Sequence, residues 1–343
     1  MKGNKLNLTD EIKPKVDGFN KKVLQPIKSW FSKYISKKTF IVIKKTFFDI
    51  YSLKKLIMTI ILLLFVPTIF IFLPTGVDLG LISTHHAATI ISIAILFPVF
   101  FFTLGIFFAL MIGFSGSSLI AEEVKSGTML ILVSKPISRI KIFLGKYIAV
   151  IFYGMLISFI SIFTLGWIGV LMKSGNIDHF ISLLPFLTAL YLYSLFILFL
   201  FTSITMALSS IFKKPKTVSI TVFILVIFSF IAFFLIRTFI GQFYGIYQIY
   251  HFDLGYHLGN VFVLFIETLN AIPPSAAWQM LFGQLTGVYS LTSTIDPDQG
   301  INLGGLEKTN YYLPIFSLLI WVLIAALLLF FGIWSLKKRE ISV

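Results

Sequence analysis

The sequence predicts an all-α, polytopic membrane protein with six transmembrane helices and both termini cytoplasmic. An apolar composition, six apolar stretches of spanning length and a one-sided distribution of basic residues carry this prediction. Hydrophobic residues make up 57% of the 343 residues, charged residues only 12%, and mean hydropathy is +0.96. A soluble domain carries about 25% charged residues. Cysteine is absent, which removes disulfides, thiolate nucleophiles and cysteine metal sites from consideration.

The six stretches are Leu56–Leu73, Ile91–Phe114, Tyr147–Met172, Leu183–Phe212, Val218–Ile236 and Leu313–Trp334. None contains Asp, Glu, Lys, Arg or His. About 20 apolar residues are needed to cross a bilayer as a helix. Unsatisfied backbone is too costly in hydrocarbon for lone strands. Pro67 and Pro98 fall inside the first two stretches, where kinks are expected. The first 55 residues are polar and basic, without the pattern of a cleavable signal peptide, so the first span is expected to act as the insertion signal.

Orientation follows from charge. With both ends inside, residues 1–55, 115–146, 213–217 and 335–343 hold 25 of the 28 Lys and Arg. Only Lys173, Arg237 and Lys308 are left outside, while acidic residues divide 7 and 7. This is the positive-inside pattern. Leu258–Ile266 is apolar apart from Asn260 but only nine residues long, which suits a re-entrant or interfacial helix and not a seventh crossing.

Three domain-level zones result. Residues 1–55 form a basic N-terminal segment, 56–336 the six-span domain with an outer loop at 241–312, and 337–343 a cytoplasmic tail. In the first zone, Trp30, Phe31, Tyr34 and Ile35 recur at helical spacing among Lys28, Lys33, Lys37 and Lys38. That pattern suits an amphipathic helix on the inner leaflet with membrane lipids as its partner, or a topogenic anchor with no further role, and no nucleic acid is expected. In the outer loop, Pro273-Pro274-Ser275 reads as a turn and N-cap for a helix over Ala276–Val288. Asp296-Pro297-Asp298 with Gly300, Gly304 and Gly305 reads as a loop.

Residues 117–146, SSLIAEEVKSGTMLILVSKPISRIKIFLGK, form the long cytoplasmic loop after the N terminus. Ser118–Lys125 reads as a short polar helix carrying Glu122 and Glu123. Gly127 allows a sharp turn through positive φ. An apolar run, Thr128–Val133, ends at Pro136, and Ser138 can cap a helix that begins at Arg139. The result is an elbow with short coupling helices between spans two and three.

The string Glu123-x-x-x-Gly127-Thr128, then Leu132-Val133-Ser134-Lys135-Pro136-Ile137-Ser138-Arg139, then Leu144-Gly145-Lys146, resembles the ABC-2-type transporter permease family. An acid, a Gly-Thr pair, a Leu-Leu-Ser-x-Pro-x-Ser-Arg string and a Leu-Gly-Lys follow one another there at this spacing. A weaker echo lies at Ile43–Thr59, where Thr46 stands in place of a common acid. The resemblance implies a permease subunit of an exporter, energised by a separate cytoplasmic ATPase that docks on the 117–139 loop. It also implies roles for Glu122, Glu123, Gly127, Thr128, Pro136, Ser138 and Arg139 as the coupling loop. Glu122 or Glu123 would pair with basic groups of the ATPase, Gly127 would set the elbow, and Arg139 would anchor the third span. The same motif could serve only the folding and topology of the elbow. Two ATPase sites would call for two permease units, alike or related.

No phosphate loop is present: Gly145-Lys146 is followed by Tyr147, and Ile140 stands where the first glycine belongs. The chain is therefore expected not to be an enzyme, with no catalytic, cofactor-binding or metal residues and no cofactor. His85, His86, His179, His251 and His257 match no standard ligand spacing. An ion-coupled secondary carrier is the alternative function, but it would need ionisable groups in the spans. A lipid-modifying enzyme would need a polar catalytic constellation. The location expected is the cell membrane.

Overall fold

The computed structural model describes residues 37–73, 82–127, 137–241, 243–271, 276–290, 295–296, 300–301 and 306–338. Six of its helices are long and apolar enough to cross a membrane. They are α2 (Leu53–Phe72), α3 (Thr84–Lys125), α4 (Arg139–Lys173), α5 (Ile177–Ile211), α6 (Pro215–Ile240) and α9 (Pro314–Lys338). Among the described residues, the further helices longer than one turn are α1 (Lys37–Ile50) before the first span, and α7 (Leu254–Thr268) and α8 (Ala276–Thr286) on the outer side. A two-residue antiparallel pair joins Ile295–Asp296 to Gly300–Ile301.

The helices outrun the apolar stretches that predicted them. α3 begins at Thr84 instead of Ile91, and α4 begins at Arg139, as the capping serine predicts, eight residues ahead of its apolar stretch at Tyr147. Helix continuity needs only backbone hydrogen bonding, so a polar flank continues a helix past the hydrocarbon edge. Ser118–Lys125 is helical as expected, but it is the inner end of α3 itself.

α5 is the central post. It packs against α3, α4 and α9, and 61% of its most apolar stretch and 67% of that of α3 are buried, against 22%, 28% and 17% for α2, α6 and α9. Those three leave most of their apolar surface for lipid or a partner. Small residues bring the helices together: a Cβ on Gly166 of α4 would lie 2.5 Å from Leu187 of α5, and one on Gly332 of α9 would lie 3.0 Å from the Ala207 backbone.

Both expected proline effects are present. Pro67 lies inside α2, and Pro98 starts a π-helical stretch, Pro98–Phe107, within α3. Proline has no N–H to give the preceding turn, so the ladder slips to wider spacing. Thr103 in that stretch donates to the Leu63 carbonyl of α2 at 2.9 Å. A second π stretch, Phe228–Ala232, interrupts α6. Phe100 packs with Tyr193 of α5, Phe262 of α7 and Phe282 of α8 at centroid distances of 5.6, 5.2 and 4.8 Å, and with Phe230 of the second π stretch at 6.3 Å. This aromatic knot fixes the outer helices onto the spans.

α7 includes the predicted nine-residue stretch and is sequestered in protein, with eleven of its 15 residues buried. It packs between α5, α8 and α9. α8 ends at Thr286 and not Val288 because Gly287, at φ +73°, takes the left-handed turn after it. Pro273, Pro274 and Ser275 lie outside the described residues. All three outer-side cations are engaged. Lys173 donates to the Leu73 carbonyl, Arg237 pairs with Asp253, and Lys308 pairs with Glu267 at 2.6 Å. Asp253 also caps α7 by accepting from the Tyr256 amide at 2.9 Å.

Candidate functional site: the inner-face elbow

The elbow is built where α3 ends and α4 begins, on the face rich in lysine. After Lys125, the Ser126 amide returns to the Glu122 carbonyl at 2.8 Å, and Gly127 follows at φ +72°. This is the left-handed glycine that ends many helices. A Cβ on Gly127 would meet nothing within 4 Å, so backbone conformation and not crowding selects glycine here. Thr128 and Pro136 lie outside the described residues. Ser138 caps α4 as expected, its hydroxyl accepting from the Lys141 amide at 3.4 Å.

Three spans meet at this point. Arg139, the first residue of α4, donates to the carbonyls of Leu336 and Lys337, each at 3.2 Å. A helix's last carbonyls lack intrahelical donors and carry partial negative charge, so the guanidinium closes the inner end of α9. Two turns along α4, Lys146 forms an ion pair with Glu123 of α3 and also donates to the Leu119 carbonyl. The Lys146 side chain is 4% exposed and that of Glu123 26%. Beneath them Ile120, Phe143, Met206 and Leu336 form a compact apolar cluster from α3, α4, α5 and α9.

α5 and α6 grip the same end of α3 through hydroxyls. Ser209 accepts from the amides of Ile120 (3.3 Å) and Ala121 (3.1 Å) and donates to the Ser117 carbonyl at 3.0 Å. Ser219 of α6 donates to the Ser117 hydroxyl at 2.9 Å. The inner end of α3 is thus locked to three neighbours at once.

The two acids of the motif therefore differ. Glu123 faces into the bundle toward Lys146, whereas Glu122 is exposed beside exposed Lys125. Sequence reasoning treated them as interchangeable. It also gave no role to Lys146, although Leu144-Gly145-Lys146 belongs to the motif that carried the resemblance. The remaining signal was spacing: a lysine just short of an apolar span, following a loop with two acids.

The family profile described as "ABC-2 family transporter protein" matches residues 32–341. The chain belongs to this family. The match spans all six long helices, and the protein is a multi-pass integral membrane permease of an ABC transporter. Membrane subunits of ABC-2 transporters work with ATPase partners and are typically non-catalytic themselves. No curated protein matches the sequence. In this ABC-2 permease the histidines are dispersed, and among the described residues no group of three or more His, Cys, Asp or Glu is placed to hold a metal. His257, in α7, is buried, and burial pushes its pKa below the ordinary value; its Nδ1 lies 3.1 Å from the Ser317 hydroxyl of α9.

Proposed function

We propose that this permease is the membrane subunit of an exporter in the cell membrane, driven by a separate cytoplasmic ATPase that docks on the 117–139 elbow. It works as a dimer, homo- or heteromeric, so that two elbows meet two ATPase subunits. The observation that carries this reading is the joining of spans two, three and six at a single inner-face point by Glu123–Lys146 and by Arg139 on the end of α9. A push on the exposed elbow is thereby delivered to three spans together. Glu122 and Lys125 offer exposed charge at its outer rim, and Gly127 sets the bend. Glu123 serves the interior, so ATPase contact falls to Glu122. Ser138 caps the helix that leaves the elbow, and Thr128 and Pro136 complete the proposed coupling loop.

The test is co-purification with the cognate ATPase and measurement of its ATP hydrolysis. Glu122→Lys should weaken ATPase binding, since a like-charge contact at an interface costs several kcal/mol. Gly127→Val should uncouple binding from hydrolysis. Lys308→Gln, on the opposite side, should match wild type. The proposal fails if well-folded Glu122→Lys and Gly127→Val proteins bind and stimulate the ATPase as wild type does. Native mass spectrometry showing one permease chain with one ATPase would overturn the dimer.

A further inference from the structure

α1 packs one face onto α4: Thr39, Thr46 and Ile50 are buried, and a Cβ on Gly145 would lie 2.9 Å from Val42. A different face is left open. Phe40, Lys44 and Phe48 form an exposed row, because residues four apart lie one above another on a helix. This row borders a groove of about 570 Å³ whose far wall is Phe152, Phe159 and Tyr191 of α4 and α5. Phe40, Phe48, Phe152 and Phe159 are 62%, 58%, 55% and 49% exposed, so the groove is an aromatic surface that nothing else in the chain's described residues covers.

Two features identify its occupant. The first is depth. Val42 abuts Gly145, and Phe47 meets Tyr153 at 6.4 Å, which puts Lys44 near the inner boundary of the spans. From there the groove follows α4 from Phe152 to Ile160. At 1.5 Å per residue that runs from about 8 Å to about 20 Å past Tyr147, where the apolar stretch begins, from the inner half of a hydrocarbon core about 30 Å thick to just beyond its middle. The second is charge. Among the described residues Lys44 is the only charged one lining the groove, and it makes no ion pair there. Asp49 of the same helix lies about 140° around the axis from it. A cation among aromatics at the inner boundary takes its counter-ion from outside the protein, and the anion present at that depth is a lipid headgroup.

We propose that the groove between α1 and α4 holds one acyl chain of an inner-leaflet anionic phospholipid whose headgroup is bound by Lys44. The site stands independently of ATPase docking. The bound lipid completes the contact between the α1 segment and the third span.

Native mass spectrometry of the purified, delipidated full chain tests this, titrating dioleoyl phosphatidylglycerol or dioleoyl phosphatidylcholine. The expected result is one retained phosphatidylglycerol per chain in preference to phosphatidylcholine. Lys44→Gln should remove that preference, a loss of about fivefold, the value of one lysine at an anionic surface. Lys44→Arg should keep it, and Lys308→Gln should leave it unchanged. Leu156→Trp, which fills the groove, should lower occupancy by both lipids, and Phe152→Ala provides a second groove variant should the first not fold. Glycerol phosphate, a headgroup without chains, should not compete. The proposal is overturned if wild type retains both lipids equally, if Lys44→Gln and Lys308→Gln behave alike, or if the groove variants leave occupancy unchanged. Displacement of lipid by a second copy of the chain on dimerisation would likewise overturn it, by making the groove a protein interface.

Discussion

Glu123→Ala should destabilise the permease far more than Lys146→Met, although both remove the same ion pair. The asymmetry comes from burial: the Lys146 side chain is 4% exposed and that of Glu123 26%. Removing Glu123 strands an ammonium in the bundle with only the Leu119 carbonyl as a partner. Orphaning a buried charge costs about 3–5 kcal/mol, and the partial exposure of this pair puts the cost near about 3. Methionine at position 146 keeps most of the side-chain volume, and Glu123 can then turn to water, so that change should cost about 1 kcal/mol. The double variant leaves no stranded charge and should resemble Lys146→Met, giving a coupling of about 2–3 kcal/mol. Thermal unfolding in mild detergent, followed by tryptophan fluorescence, provides the assay. Glu123→Ala should lower Tm by on the order of 5 °C, and added salt should not erase the difference because the pair is sheltered from counter-ions. Equal and additive Tm shifts for the two single variants would refute the reasoning.

Other outcomes follow from the same geometry. Gly127→Ala should cost about 1 kcal/mol through its positive φ, while Gly127→Asn, which tolerates that conformation, should recover much of it in the same melting assay. Arg139→Gln should free the inner end of α9 and speed amide hydrogen exchange over residues 333–338, at a cost of about 1–2 kcal/mol. His257 has its pKa lowered by burial, so the folded state binds fewer protons than the unfolded one. Its contribution is complete above about pH 6.5 and is lost as pH falls toward the folded value. Tm measured between about pH 8 and pH 5 should fall on the acid side, and His257→Gln should flatten that fall. A stability flat with pH in wild type would contradict the burial of this ring.

Class, number of spans and the place of the elbow are legible in the chain alone. Those properties are set by solvent and by local chemistry. Hydrocarbon demands long uncharged stretches, and the six are visible as such. Ser138 caps from its own hydroxyl, and Gly127 turns from its own missing Cβ. The tertiary structure decided which polar groups find each other. Glu122 and Glu123 are adjacent in the chain but point about 100° apart on a helix, and only the placement of α4 beside α3 assigns Glu123 to Lys146. The contact of Arg139 with Leu336 and Lys337 joins residues nearly two hundred apart in sequence, and no local pattern encodes it. α1 also escaped the reading. The expected amphipathic helix centred on Trp30, Phe31, Tyr34 and Ile35, which lie outside the described residues, whereas the described helix runs Lys37–Ile50. Its buried face carries Thr39 and Thr46, and its exposed face carries phenylalanine. Ordinary amphipathic logic inverts there, because the helix has both protein and lipid to face, and a sequence does not state which neighbour each side will meet.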